Sequence, residues 1–188
     1  MNKKIPVVVI NDISETDTIM EALKNAGIGC AEITFRTACA AEAIKFASER
    51  YPDMEIGAGT VINAGQCREA LGAGATFIVS PGLSAGVAEV CREAGVPYYP
   101  GCVTPTEIMQ AIELGITTVK FFPANVYGGI KALKALSAPF PQIRFIPTGG
   151  IDSSNLDEYL SFDKVAAVGG SFYVKEALEA MKKGENDK

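Results

Sequence analysis

The sequence predicts one α/β domain over residues 1–188, folded as a compact (β/α)₈ TIM barrel, and two observations carry this prediction. Eight short apolar segments alternate with segments of helical periodicity along the chain. Successive apolar segments begin about 20 to 27 residues apart, close to the shortest strand-helix-strand unit that crosses back in parallel. The alternative is a doubly wound open sheet, but the chain shows neither the GxGxxG motif nor the long insertion expected of that arrangement.

The predicted strands are the apolar runs between the helical segments. Such runs are typical of parallel strands, which are buried on both faces. In chain order they are Pro6–Ile10, Cys30–Thr34, Glu55–Ala58, Thr76–Ser80, Pro97–Pro100, Thr117–Phe122, Arg144–Pro147 and Val165–Val168.

The helix ends are marked by glycines. Gly27, Gly74, Gly95 and Gly115 each separate a helical segment from an apolar one, where a left-handed residue can close a helix. Before these glycines, apolar residues recur every three or four positions, which predicts one buried stripe on each helix.

Two helix starts are also marked. Ser14 and Asp17 frame the first helix, and Thr104 is followed by Pro105 and by Glu107, the pattern of a capping box with proline in the first turn. Both patterns place the helix start within a few residues.

Composition excludes several classes of function. With 17 basic and 22 acidic residues the net charge is −5, so binding of nucleic acid through bulk positive charge is not expected. The chain has no histidine, which excludes a Ser-His-Asp triad and any histidine-ligated metal site. The 48% hydrophobic content suits a packed core rather than a disordered chain.

The cysteines and the amino terminus indicate a cytoplasmic protein. Five cysteines without a CxxC pair favour neither a disulfide framework nor a zinc cluster. Lys3 and Lys4 precede an apolar run that ends at Asn11, too short for a signal peptide or a membrane span.

Lys120 is the most informative single residue. It lies within the apolar run Thr117–Phe122, where an unpaired ammonium would be costly to bury. Burial favours the neutral amine, which can attack a carbonyl and form a Schiff base. The alternative is a lysine at the end of a strand that extends to solvent.

Glu32 and Arg36 are the matching charged residues. Glu32 lies in another apolar strand and could transfer protons, since without histidine a carboxylate is the natural base. Alternatively, it forms a structural ion pair with Lys120 or Arg36. The guanidinium of Arg36 suits a substrate carboxylate, although a loop arginine can also be an ordinary surface residue.

Two glycine pairs come after the last two predicted strands. Thr148-Gly149-Gly150 and Gly169-Gly170-Ser171 are each predicted to lead into a helix, so that backbone N–H groups can bind a phosphate. Because the net charge is negative, such anion binding has to be local. Each pair alone is equally consistent with a tight turn.

Together these segments resemble the 2-keto-3-deoxy-6-phosphogluconate (KDPG) and 4-hydroxy-2-oxoglutarate (KHG) aldolase family. The resemblance extends from Pro6 to about Phe172 and keeps the order of the family's motifs. They are EITFRT at 32–37, GAGTV at 57–61, SPG at 80–82, KFFPA at 120–124, PTGG at 147–150 and GGS at 169–171.

The resemblance implies a class I aldolase that needs neither metal nor cofactor. Such an enzyme cleaves KDPG to pyruvate and glyceraldehyde 3-phosphate, or KHG to pyruvate and glyoxylate. Lys120 would form the Schiff base, and Glu32 would move the protons. The implied partners are a phosphorylated keto acid and two further copies of the chain in a homotrimer, with no nucleic acid and no membrane.

By the same resemblance, nine further residues would contact the substrate. Arg36 and Thr60 would hold the pyruvate carboxylate, and Pro81 and Phe122 would wall the pocket. The distal or phosphate end would be lined by Thr148, Gly149, Gly150, Gly170 and Ser171.

The sequence departs from the family pattern at its ends and at two positions. Both ends are expected to be short, without the first helix and the last helix that many relatives have. Asn125 stands where glutamate is common, and Phe172 where tryptophan can stand. Three alternatives stay open: an aldolase for the galactonate analogue of KDPG, a sugar-phosphate isomerase, and a non-catalytic phosphate-binding barrel.

Overall fold

The computed structural model describes residues 2–186, in which eight strands alternate with eight helices. The strands are β1 Lys4–Val8, β2 Cys30–Thr34, β3 Glu55–Gly59, β4 Ile78–Val79, β5 Tyr98–Tyr99, β6 Thr118–Phe121, β7 Arg144–Pro147 and β8 Val168–Gly170. The helices are α1 Glu15–Asn25, α2 Ala40–Arg50, α3 Ala64–Gly72, α4 Ala85–Ala94, α5 Pro105–Glu113, α6 Gly129–Ser137, α7 Leu156–Leu160 and α8 Phe172–Asn186.

The strands form a curled parallel sheet of six, in the order β5-β4-β3-β2-β1-β8, beside a parallel pair β6-β7. A doubly wound sheet would reverse its strand order near the middle. Here the order runs from β5 down to β1 without reversal and continues to β8, so the doubly wound alternative is wrong. Isolated parallel bridges also join Gly101 to Lys120 and Thr148 to Gly169.

All eight predicted strands exist, but β4, β5 and β6 are shorter than predicted and β1 and β8 are displaced. The structure places β1 two residues before the predicted Pro6, and β8 begins at Val168, the residue where the prediction ends. The two strands pair from Lys4 and Val168 onward, so their mutual hydrogen bonds set both limits. Val165 forms only an isolated bridge with Phe145.

Side chains of the strands alternate between two apolar layers. Val8, Ile33, Ile56 and Ile78 pack outward against the helices in one cluster. A smaller cluster faces the other way, inside the curled sheet, and comprises Ile5, Cys30, Phe77, Val79, Ile146 and Ala167. Because alternate residues of a strand share a face, Glu32 and Thr34 lie on the inner face with Cys30.

The predicted glycine conformations are confirmed. Gly27, Gly74, Gly95 and Gly115 all have φ between 69° and 101°, a region that a Cβ atom disfavours. Thr104 and Glu107 form the predicted capping box. Ser14 does precede α1, but its hydroxyl donates to Asp12 and makes no capping hydrogen bond.

The five cysteines are free thiols. Burial is the main cause that raises the pKa of Cys30 and of Cys102 to about 12. Within residues 2–186, no helix is long and apolar enough to cross a membrane, and no three His, Cys, Asp or Glu side chains are grouped as metal ligands.

Candidate active site

A buried ion pair lies inside the curled sheet. Lys120 on β6 and Glu32 on β2 are 88 residues apart in sequence, yet Lys120 Nζ lies 3.3 Å from Glu32 Oε1. The two side chains are only 7% and 3% exposed. The alternative in which Lys120 extends to solvent is therefore wrong. Its Nζ also lies 5.3 Å from the centre of the Phe122 ring.

Glycines on β3 create the space for this pair. Glu32 pairs with Gly57 across the sheet, but its side chain leans along the strand over Gly59. A Cβ atom built on Gly59 would lie 2.6 Å from Glu32 Cγ and 2.7 Å from Cδ. The phenyl ring of Phe77 covers Gly57 in the same way. Gly59 is therefore required for the observed position of the carboxylate.

Replacing Gly59 by alanine is expected to displace Glu32. If Glu32 moves the protons, as the sequence resemblance implies, kcat for aldol cleavage falls by about 100-fold, since displacement of a reacting group by about an ångström costs that much. Circular dichroism and steady-state rates measured together check this result. Gly72→Ala is the matched control, because a Cβ atom there meets nothing within 4 Å. Wild-type rates in Gly59→Ala would show that Glu32 needs no such space.

Arg36 lies at the mouth of the sheet beside Thr60. Its Nε donates to Thr60 Oγ1 over 3.1 Å, and no ion pair joins Arg36 to Glu32 among the described residues. Thr60 has φ 57°, the one positive value at a non-glycine residue within 2–186. Such backbone strain is typical of functional sites. The turn presents Thr60 to the guanidinium.

A cavity of about 310 Å³ connects Lys120 with the carboxyl ends of the strands. Its lining includes eight of the eleven predicted site residues: Arg36, Lys120, Phe122, Thr148, Gly149, Gly150, Gly170 and Ser171. Val7, Val9 and Ile151 also line it and were missed by the sequence analysis. Isolated apolar residues in or beside strands look like ordinary core residues, so no sequence signal separates them.

Three predicted residues do not line the cavity itself. Glu32 accepts a hydrogen bond from Lys120, and Thr60 accepts one from Arg36, so both contact residues that line the cavity. Pro81 is exposed, and its carbonyl packs against Gly101, where a Cβ atom would collide with it. Whether Pro81 contacts a substrate stays a prediction.

The two glycine pairs differ in their distance from the next helix. Gly150 leads into α7 only after five further residues, because that helix begins at Leu156. Gly170 leads into α8 almost at once, since that helix begins at Phe172, immediately after Ser171. The amino terminus of this 15-residue helix is favourable for a negative charge.

The Thr148-Gly149-Gly150 loop is held by the chain segment just after Lys120. Ala124 N donates to Thr148 O over 2.8 Å, and Asn125 N donates to Gly149 O over 3.2 Å. Gly149 and Gly150 have φ of 94° and 70°. The loop is therefore fixed to the segment after Lys120 where both line the cavity.

These features suit a substrate that has a carbonyl between two anionic groups. A buried amine lies beside a carboxylate, and the cavity that the amine lines is also lined by a guanidinium and by the residues just before α8. An amine in this setting can form a Schiff base, and the carboxylate can transfer the protons.

Comparison with known proteins gives the same chemistry. The family model described as KDPG and KHG aldolase matches residues 1–188. A 2-dehydro-3-deoxy-phosphogluconate aldolase of Treponema pallidum is 45% identical over 170 residues, 90% of this chain and 81% of the relative. A KHG/KDPG aldolase of Escherichia coli K12 is 41% identical over 177 residues, 94% of this chain and 83% of the relative.

A solved structure extends the likeness to the fold. The KDPG aldolase of Legionella pneumophila, with pyruvate captured as a covalent carbinolamine, has a TM-score of 0.90 and 41% identity. The match covers 96% of this chain and 88% of that one. The chain belongs to the KDPG and KHG aldolase family.

Proposed function

We propose that the protein is a class I aldolase that cleaves KDPG to pyruvate and glyceraldehyde 3-phosphate. The observation that carries the proposal is the Lys120–Glu32 pair, with 3.3 Å between Nζ and Oε1, beside a cavity that is also lined by Arg36 and by both glycine pairs. The carbinolamine formed by pyruvate in the Legionella relative supports the same chemistry here.

The reaction begins when Glu32 takes a proton from Lys120 and the neutral Lys120 amine attacks the C2 ketone. The nitrogen then gives up a second proton and Glu32 returns the first, so that the C2 oxygen receives both, leaves as water and gives an iminium. The C3–C4 bond then breaks, its electrons move toward the iminium nitrogen, and the C4 hydroxyl passes its proton to the Glu32 carboxylate as the aldehyde forms. Glu32 protonates the resulting enamine at C3, and hydrolysis releases pyruvate and restores the Lys120 amine.

The remaining residues bind and orient the substrate. Arg36, held by Thr60, would pair with the C1 carboxylate, and Phe122 and Pro81 would wall the carbon chain. The phosphate would lie at the amino terminus of α8. There it would contact five residues that line the cavity: Thr148, Gly149, Gly150, Gly170 and Ser171.

The finer architecture is part of the same proposal. The bridges at Gly101 and Thr148 support closure of the two sheets into one (β/α)₈ barrel, with residues 1–188 as one domain.

Exposed apolar side chains at Ile62, Val126 and Tyr127 support burial against other copies, as in the trimer expected of the family. The free thiols fit a reducing cytoplasm.

Three substrates distinguish the open alternatives. We expect pyruvate release from KDPG to be faster than from KHG, because only KDPG carries a phosphate for the amino terminus of α8. The galactonate analogue differs at one hydroxyl and is the third substrate. Release of pyruvate from none of them would favour a sugar-phosphate isomerase or a non-catalytic barrel.

Ser171→Ala tests the phosphate end. We expect KM for KDPG to rise by about 10- to 100-fold, the range for a hydrogen bond to a charged group, and KM for KHG to stay unchanged. Ser161→Ala is the matched control, because the Ser161 hydroxyl donates to Glu158 O on α7, outside the cavity. Equal changes with both substrates would place the phosphate elsewhere.

A further inference from the structure

The hydroxyl of Thr34 is buried without a partner beside the catalytic pair. Thr34 ends β2, is 0% exposed, and its Oγ1 makes no hydrogen bond among the described residues. Strand alternation puts it on the same face as Glu32. A buried polar atom without a partner destabilises the fold, so a hydroxyl at this position calls for a functional explanation.

The Glu32 side chain shares this face and lies over the residue that pairs with Thr34. Thr34 pairs with Gly59 across β2 and β3, and the Glu32 side chain extends over Gly59. Neighbouring strands lie about 4.8 Å apart, so Thr34 flanks the carboxylate. In the resting structure Oε1 faces Lys120 Nζ instead, at 3.3 Å.

The reaction weakens that partnership. Once Nζ is part of the iminium, it carries a single hydrogen, compared with the three of the lysine ammonium. The carboxylate must still point toward C3, where it delivers a proton. Rotation of the Thr34 side chain, with a turn of the carboxylate toward it, would form a charge-assisted hydrogen bond.

We propose that Thr34 is a positioning residue that holds the Glu32 carboxylate while Lys120 is engaged as an imine. This inference rests on the proposed function. Thr34 donates a hydrogen bond and neither gains nor loses a proton. The hydroxyl is unpaired at rest because its acceptor turns toward it only during the reaction.

The test separates imine formation from proton transfer. Thr34→Val keeps the shape and removes the hydroxyl, and two quantities are measured. One is the pyruvyl adduct trapped by borohydride, and the other is exchange of the pyruvate methyl hydrogens in D₂O, observed by NMR. We expect the adduct to persist and exchange to slow by about 10- to 100-fold, the range for a hydrogen bond to a charged group. Thr34→Ser restores exchange.

Thr16→Val is the matched control, because Thr16 Oγ1 on α1 is also buried without a partner among the described residues. Its exchange rate stays at the wild-type value. The inference is overturned if Thr34→Val exchanges like wild type, or if Thr34→Ser is impaired as much as Thr34→Val. A wild-type protein that gives neither adduct nor exchange overturns the proposed function as well.

Discussion

Lys120→Met is expected to lower kcat for KDPG cleavage by about 10⁴-fold or more, because the amine proposed to form the covalent intermediate is lost. Methionine fills similar volume without a nucleophile. A coupled assay for pyruvate, with enzyme in large excess, measures the residual rate. A loss of tenfold or less would contradict a covalent role for Lys120.

Stability provides the control for this variant. Lys120→Met leaves the Glu32 carboxylate buried without its 3.3 Å partner, which costs about 3–5 kcal/mol in free energy of unfolding. The double variant Lys120→Met/Glu32→Gln removes both charges and is expected to recover most of that loss, as measured by urea denaturation. Activity stays lost, which separates the chemistry from folding.

Glu32→Gln is expected to lower kcat by about 10²- to 10⁴-fold, the usual contribution of a positioned acid or base. Glutamine keeps the shape and an oxygen toward Lys120 but cannot transfer a proton. Exchange of the pyruvate methyl hydrogens is expected to slow to the same degree, while borohydride still traps an adduct on Lys120.

Glu55→Gln is the matched control, since Glu55 lies on the neighbouring strand, is exposed and hydrogen-bonds Asn2. It is expected to keep wild-type rates. If Glu32→Gln exchanged deuterium as fast as wild type, Glu32 would be no more than the structural partner of Lys120.

The charged residues of the site could be predicted because they interrupt apolar strands. A lysine or glutamate in such a run is costly unless paired, so Lys120 and Glu32 stand out without any knowledge of the fold. Their pairing across 88 residues is expected once both strands face the same interior. Eight strands in the right order are likewise expected from the regular spacing of apolar runs.

The residues that escaped prediction act through geometry. Gly59 matters because of where the Glu32 side chain lies over it, and this depends on the register of β2 and β3. Val7 on β1 and Val9 just after it share one face, but nothing in their sequence distinguishes a cavity wall from a packed core. The limits of β1 and β8 depend on their mutual hydrogen bonds, which local patterns do not contain.

Borohydride reduction in the presence of pyruvate, with the product analysed by peptide mass spectrometry, shows directly whether Lys120 forms the Schiff base. Catalysis by Lys120 predicts one reduced pyruvyl group on this residue, none on any other lysine, and none at all in Lys120→Met. No adduct in the folded protein, or an adduct on a different lysine, would contradict Schiff-base catalysis at the Lys120–Glu32 pair.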